Sequence, residues 1–193
     1  MANKIFPLFS APPQKIPTRV HMNEPLAIYH LSTHLQNFLK TTPKKKQPLI
    51  LCIGTDRATG DSLGPLTGWQ LQTLLRGTKA EVLGTIDSPV HAGNLQEIHT
   101  ALSPQLSLHP LIAIDACLGR FSNVGTIVFQ NKPLKPGTAL KKSLPAVGDV
   151  GITGVVNIGG LMERQVIQNT RLSIVLKMSR IIAYSIFLAL NEH

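Results

Sequence analysis

The sequence predicts an α/β fold, a three-layer α/β/α sandwich around a mostly parallel sheet, with a domain over residues 48–193 and an extension over residues 1–47. Two observations support this prediction. Short apolar runs that fit buried strands alternate with longer segments of helical periodicity, which is the pattern of βαβ units. The 193 residues, 43% of them hydrophobic, are enough to bury a core without disulfides.

The extension is rich in proline and lysine. Five prolines within residues 1–25 disfavour regular structure, so we expect an arm that is extended on the surface or partly disordered. A helix is predicted over residues 26–39, and residues 41–48 resemble an exposed linker. One interpretation of the extension is a removable or regulatory prosegment, and the other is a structural arm.

Each predicted element after residue 48 follows from its residues. Residues 49–53 are a continuous apolar run typical of a buried strand, and Pro65 takes the favoured first position of a helix over residues 65–75. The closing helix is apolar on more than one face but interrupted by Lys177 and Arg180, which favours a buried core helix over a membrane span. The other predicted strands cover residues 81–86, 111–114, 125–129 and 152–158, and the other helices cover residues 94–102 and 172–190. Irregular segments are predicted over residues 132–142 and 147–151.

The net charge and the two cysteines bear on the binding partners and the cellular compartment of the protein. The net charge of +9 would attract nucleic acid, anionic lipid or an acidic protein alike, but the basic residues are dispersed and no aromatic stacking platform lies among them. We therefore expect no specific nucleic-acid binding, and the sequence leaves the oligomeric state open. Cys52 and Cys117 have neither disulfide nor metal-binding spacing, which favours free thiols in the cytoplasm.

All five aspartates lie just past or beside predicted strands, outside the predicted helices. They are Asp56, Asp61, Asp87, Asp115 and Asp149. Loops that leave the carboxyl ends of parallel strands line one crevice, so we expect these carboxylates to converge there. Asp115 directly follows the apolar run 111–114 and is predicted to end a central strand. Asp61 stands in a glycine-rich loop just before a helix, and we interpret these two as the catalytic residues.

The two central carboxylates also have structural interpretations. Asp61 could cap the helix that follows it, and Asp115 could form an ion pair with Arg57 or Arg120. If Asp61 and Asp115 lie close together, like-charge repulsion raises one pKa, and the pair shares a proton. One carboxylate would then activate water while the other acid protonates the leaving amide.

Five further residues are expected to support the site. Asp56 and Arg57 are expected to position substrate or tune the acid pair, and Asp87 and His91 are expected to line the substrate groove. Asp149, which is flanked by glycine, is either a further member of the site or a turn former.

Three segments carry a family resemblance. The loops GTDRATGDSLGP and LIAIDACLGR, separated by TIDSPVHAGNL, resemble the YyaC-type sporulation proteins, relatives of the germination protease of spore-forming bacteria. The resemblance spans roughly residues 48–190 and extends more distantly to hydrogenase maturation proteases. It implies a phosphorylase/hydrolase-like fold, a peptidase that acts on a protein such as the small acid-soluble spore proteins, and a location in the forespore or spore core.

The resemblance also implies site residues. The functional aspartates of the germination protease match Asp61 and Asp115. Hydrogenase maturation proteases bind a metal ion through a Glu and an Asp at these two positions and through a downstream histidine, but residues 146–149 contain none. A divalent metal is therefore possible only with His91 or Asp149 as a substitute ligand, and the acid-pair mechanism requires no cofactor. The alternatives are a metal-assisted hydrolase and a non-catalytic module that binds a basic peptide or a divalent cation.

Overall fold

The computed structural model describes residues 18–136 and 145–191, and within them a mostly parallel sheet of six strands. The strands are β1 Arg19–His21, β2 Leu49–Cys52, β3 Glu81–Leu83, β4 Leu111–Gly119, β5 Thr126–Gln130 and β6 Val150–Ile158. Their order is β1-β5-β6-β4-β2-β3. β2 pairs in parallel with β3 and β4, and β4 pairs in parallel with β6, whereas β5 is antiparallel to both β6 and β1.

Helices cover both faces of the sheet. They are α1 Ala27–Thr41, α2 Leu63–Leu74, α3 Leu95–Leu102, α4 Glu163–Gln168 and α5 Leu172–Asn191, and single 3₁₀ turns form at Gly60–Ser62 and Phe121–Asn123. Alternate residues of β2 enter two core clusters: Ile50 and Cys52 pack with α1, α2 and α5, while Leu49 and Leu51 pack with α3. This two-sided burial explains the continuous apolar run in the sequence, and the predicted three-layer α/β class is confirmed.

β4 is longer than the predicted strand. The sequence predicts an end at Ile114, but the strand continues to Gly119 because β6 pairs with it along this length. β6 itself begins at Val150, two residues before its predicted start. β3 is shorter than predicted, since Gly84 adopts a φ of 84° and turns the chain away after Leu83.

The described part of the extension belongs to the α/β domain. β1 forms the sheet edge beside β5, and the predicted helix is confirmed as α1, whose residues Leu31, Leu35 and Leu39 are buried in the core. The structure therefore differs from the expected boundary at residue 47. The expectation for residues 1–17 lies outside the described residues, as does most of the predicted irregular segment 132–142.

α5 is long and apolar enough to cross a membrane by length and composition alone. In the structure its residues Val175, Met178, Ile182 and Ile186 are fully buried in the core cluster shared with α1 and α2. These contacts are those of the core helix that its sequence predicts.

The burial of α1 leads to a stability prediction. Leu35 is 0% exposed, so Leu35→Ala leaves a cavity and should lower the free energy of unfolding by about 2–5 kcal/mol. Urea denaturation measures the change. Leu26→Ala, at a position 57% exposed beside the same helix, is the control and should change stability by less than about 0.5 kcal/mol. Equal stability of the two variants would contradict the assignment of α1 to the core.

Candidate functional site

Asp115 lies inside β4, four strand residues before its end. The prediction that it ends the strand is therefore wrong: Asp115 pairs with Thr153 of β6, and the ladder continues to Gly119. Because side chains alternate along a strand, the side chain of Asp115 lies on the same face of the sheet as Leu111 and Ala113. Nearer the start of β4, α3 covers this face. Asp115 is only 7% exposed, and its Oδ1 accepts a hydrogen bond from the Ala116 amide (2.9 Å).

A cavity of about 350 Å³ opens beside Asp115. Cys117, Gln130 and Thr153 line it together with residues 132–135. It lies on the part of the sheet where β4, β5 and β6 adjoin, so the long β4–β6 pairing builds its floor. The carboxylate of Asp115 is thus buried from bulk solvent but borders a space large enough for part of a ligand.

Cys117 was not assigned to the site from the sequence. It lies two residues after Asp115, on the same strand face, and this period of two is the signal that could have revealed it. Burial raises the pKa of its thiol to about 11, with a further contribution from the Asp115 carboxylate and an opposing one from Arg19. The thiol is therefore protonated at neutral pH, which disfavours it as a nucleophile.

Arg19 is a second residue that the sequence prediction missed. It pairs with Val128, which pairs with Thr153, which in turn pairs with Asp115, so the four residues form one row across the sheet. This register explains how a residue from the start of the chain acts on the pKa of Cys117. The row depends on β1, a three-residue strand without an apolar run of its own.

Asp61 lies in the 3₁₀ turn Gly60–Ser62, directly before α2. Its predicted position just before a helix agrees with the start of α2 at Leu63. The N-cap position of α2 belongs to Ser62, whose hydroxyl donates to the Thr59 carbonyl (2.6 Å), so Asp61 is not the cap residue. Burial raises the pKa of the Asp61 carboxyl, while a hydrogen bond from the Thr55 backbone and the charge of His91 lower it.

Gly54 shapes the loop that carries Asp61. Its φ is 139°, and an added Cβ would lie 1.9 Å from the Asp61 carbonyl oxygen. That oxygen accepts a hydrogen bond from the Thr55 amide (3.2 Å). The backbone can therefore pass this close only at glycine, which accounts for the first glycine of the loop.

His91 lies beside Asp61, as its effect on the carboxyl pKa shows. The Gly54 amide donates to the Val90 carbonyl (2.7 Å), and this bond aligns the two loops. Nδ1 of His91 accepts a hydrogen bond from the Gly93 amide (3.0 Å). The ring is thereby fixed relative to the loop, next to the carboxyl group of Asp61.

The remaining predicted residues lie elsewhere. Asp56, Arg57 and Asp87 are exposed, and the described residues that line the cavity of Asp115 do not include them. Asp149 lies at the amino end of β6, at the opposite edge of the sheet. It accepts hydrogen bonds from the Leu111 amide (2.7 Å) and from Nζ of Lys44 (2.6 and 2.7 Å). Asp149 therefore does not lie beside Asp115, and its carboxylate links Lys44 to the start of β4.

Asp61 and Asp115 come from neighbouring elements. The Ile53 amide at the end of β2 donates to the Ile114 carbonyl (2.7 Å), and the turn that holds Asp61 packs against β4. The described lining of the cavity, however, includes Asp115 and not Asp61. The main cause of the raised pKa of Asp61 is burial rather than repulsion by a second carboxylate.

The metal set implied by the resemblance does not fit these residues. Within residues 18–136 and 145–191, no three side chains of His, Cys, Asp or Glu are grouped so that they could hold a metal ion. Asp61, Asp115 and His91 therefore do not form the triad that the metal alternative requires, and Asp149 is too far removed to replace a ligand.

The fold resembles that of a solved protease structure. The chain is similar to the crystal structure of the NiFe hydrogenase maturation protease HycI from Thermococcus kodakarensis KOD1, with a TM-score of 0.54 and 16% sequence identity over 82% of this chain and 99% of that chain. An identity this low establishes a protease-like fold and leaves the activity open.

The sequence comparisons identify the family. A family model described as "Protein of unknown function (DUF1256)" matches residues 19–185, so the chain belongs to the DUF1256 family. The uncharacterized protein YyaC of Bacillus subtilis (strain 168) is 44% identical over 153 residues, which are 77% of this chain and 74% of that protein. The predicted resemblance to YyaC-type proteins is confirmed.

The electrostatic contact between Cys117 and Asp115 can be tested by alkylation. Because the thiol has a pKa of about 11, iodoacetamide should react slowly with it at neutral pH. Asp115→Asn removes a negative charge that disfavours the thiolate, so the pKa should fall and alkylation at about pH 9 should become severalfold faster. Mass spectrometry of the Cys117 peptide follows the reaction, with Glu97→Gln on the exposed side of α3 as control. An unchanged rate in Asp115→Asn would contradict the contact.

Proposed function

We propose that the chain is a peptidase-like hydrolase in which Asp115 and Asp61 are the functional acids. One observation carries the proposal: Asp115, 7% exposed, lies inside a central strand and borders a cavity of about 350 Å³. A carboxylate that borders a cleft at the middle of a sheet is a candidate for catalytic or binding use. The protease-like fold makes amide hydrolysis the reaction to test first.

The two acids take different roles in the proposed reaction. The Asp115 carboxylate accepts a proton from the attacking water, whose oxygen forms the new bond to the scissile carbonyl carbon. Asp61 keeps its proton to a higher pH than an exposed carboxyl because it is buried, and it gives this proton to the departing amine as the C–N bond breaks. The proton then on Asp115 leaves through solvent, and Asp61 takes up another. His91 tunes Asp61 by its charge.

The substrate in this proposal is a protein or peptide, and the small acid-soluble spore proteins are the first to test. The proposed location is the cytoplasm of a spore-forming bacterium, and more specifically the forespore or the spore core. The free thiols of Cys52 and Cys117 agree with a reducing compartment. The acid mechanism uses no cofactor.

A binding module is the second candidate function. The observation in its favour is that the described lining of the cavity contains Asp115 without Asp61, so the two acids need not act on one atom. In that case Asp115 would hold a basic peptide segment without cleaving it. A parent protein that shows Asp115-dependent peptide binding and no turnover would support the module over the peptidase.

Mutation of the two acids tests the peptidase. Asp115→Asn and Asp61→Asn should each lower kcat for cleavage of a small acid-soluble spore protein by about 10²- to 10⁴-fold, because each removes one proton-transfer group. Mass spectrometry of the products measures the rates. Glu81→Gln, an exposed carboxylate at the start of β3, is the matched control and should retain full activity. A folded Asp115→Asn protein with undiminished cleavage would exclude the mechanism.

The raised pKa of Asp61 predicts opposite effects on activity and stability. The folded state holds the Asp61 proton above the pH at which the unfolded chain releases it, so stability should decline as pH rises from about 4 through the raised pKa. Proton donation by Asp61 should be lost over the same window. Asp61→Asn removes the ionised group, so it should raise Tm at neutral pH while lowering activity.

Thermal denaturation at a series of pH values measures this effect. Asp87→Asn, an exposed position in the neighbouring loop, is the control for a general change of charge. A Tm for Asp61→Asn at or below that of the parent at neutral pH would contradict the assignment of Asp61 as a buried carboxyl disfavoured in its ionised form.

A further inference from the structure

Two adjoining loops at the carboxyl edge of the sheet expose large apolar side chains. Phe121 is 80% exposed, Ile158 44%, Leu161 92% and Met162 65%; we call these four residues the edge patch. The loops are joined because Gly119 pairs with Ile158 and the Gly159 amide donates to the Gly119 carbonyl (2.7 Å). Single exposed apolar residues are common, but four on adjoining loops are typical of an interaction surface.

The backbone at Met162 is strained. Among the described residues other than glycine, Met162 has the single positive φ, 57° with a ψ of 37°. Its carbonyl accepts hydrogen bonds from the Gln165 and Val166 amides (2.8 and 3.1 Å), which hold the turn in place. Glycine or asparagine adopts this conformation more readily than methionine. An exposed methionine at this position therefore lowers the stability of the folded state.

The edge patch is close to the element that carries Asp61. α4 begins directly after Met162 and packs on the 3₁₀ turn of Asp61. A Cβ added at Gly60 would lie 2.7 Å from atoms of Ile167 and of Thr170, so this packing is tight. Only α4 would therefore separate a molecule bound at the edge patch from the turn that carries Asp61.

Basic residues lie in the same two segments of the chain as the edge patch. Arg120, Arg164 and Arg171 are exposed, and in segments 118–125 and 157–171 the only acidic residue is Glu163, which accepts from the Gly160 amide (3.3 Å). A second copy of this chain would present the same arginines and a net charge of +9, so self-association through this surface is electrostatically unfavourable. The charge of the patch fits an acidic partner.

We propose that the edge patch docks an acidic segment with apolar side chains, on a protein substrate and outside the scissile stretch. The identification of the partner as a substrate, and the choice of a peptide over a membrane, rest on the proposed function, whereas the exposed apolar and basic surface does not. Apolar side chains of the segment would cover Phe121, Leu161 and Met162, and its carboxylates would pair with the arginines. Binding away from the reacting bond would bring the substrate to the site and orient it. An anionic bilayer on the same surface would cover the edge where Asp61 lies, which disfavours a membrane as the occupant.

A peptide selection tests the docking surface. The full chain carrying Asp115→Asn, which separates binding from turnover, is used to select from a phage-displayed library of random peptides of about 16 residues. We expect the selected peptides to combine Asp or Glu with Leu or Phe. Fluorescence polarisation of the labelled peptides should then show a Kd at least about tenfold weaker for Leu161→Ser and for Arg164→Glu.

Matched variants separate docking from damage to the fold. Leu108→Ser, at a position 50% exposed at the opposite edge, and Lys79→Glu, also at that edge, should leave Kd unchanged. Met162→Asn should keep or raise Tm, because asparagine tolerates the left-handed conformation, while it weakens binding. Loss of binding without loss of stability is the signature of a docking role.

Several outcomes would overturn the inference. The inference is overturned if the selected peptides are basic, if they bind the Leu161→Ser variant as tightly as they bind the parent protein, or if the selection enriches no peptide. Binding to phosphatidylglycerol vesicles that depends on Leu161, without peptide binding, would assign the surface to a membrane, and Leu161-dependent dimers in sedimentation would assign it to a second copy. Peptide binding by the patch without cleavage of any protein would overturn the peptidase alone. Cleavage with an unchanged KM in Leu161→Ser would overturn docking alone.

Discussion

The parallel pairing of β4 with β6 is the interaction on which the rest of the structure depends. The two strands pair from Ile112 with Val150 to Gly119 with Ile158, with one register shift after Cys117. This ladder carries Asp115 into the interior, supplies Thr153 opposite it and forms the floor of the cavity. It also brings together the loops that follow the two strands, so the candidate site and the edge patch result from the same hydrogen bonds.

The sequence predicted the elements whose signal is local. Continuous apolar runs located β2 and the start of β4, and helical periodicity located α1, α2, α3 and α5. The sequence analysis missed the strand segments that form only by pairing with residues distant in the chain. Residues 115–119 contain Asp and Gly and lack a strand pattern, yet they extend β4 because β6 offers a complete row of hydrogen-bonding groups. β1 has only Arg19, Val20 and His21, and its identity as a strand comes from β5.

The aspartates show the same limit at the level of single residues. Proximity to a predicted strand does not show whether a side chain reaches the crevice at the carboxyl ends of the strands. Asp149 precedes β6 and pairs with Lys44, whereas Asp61 follows β2 and is half-buried in a turn. Asp115 was predicted at the end of the central strand, and its position inside β4 follows from the pairing with β6. The chemistry of each carboxylate depends on burial and partners, which the sequence does not encode locally.

The edge position of β1 has a consequence for how the chain folds. Arg19 pairs with Val128, so the first of the described strands finds its partner only after two-thirds of the chain has been synthesised. Contacts between such distant residues carry a large loop-closure entropy and form late. On the ribosome, the β1 segment emerges well before β5, and during this interval its backbone amides and carbonyls are free to pair with other chains. Chaperone contact with the nascent amino-terminal segment would protect it until the sheet is complete.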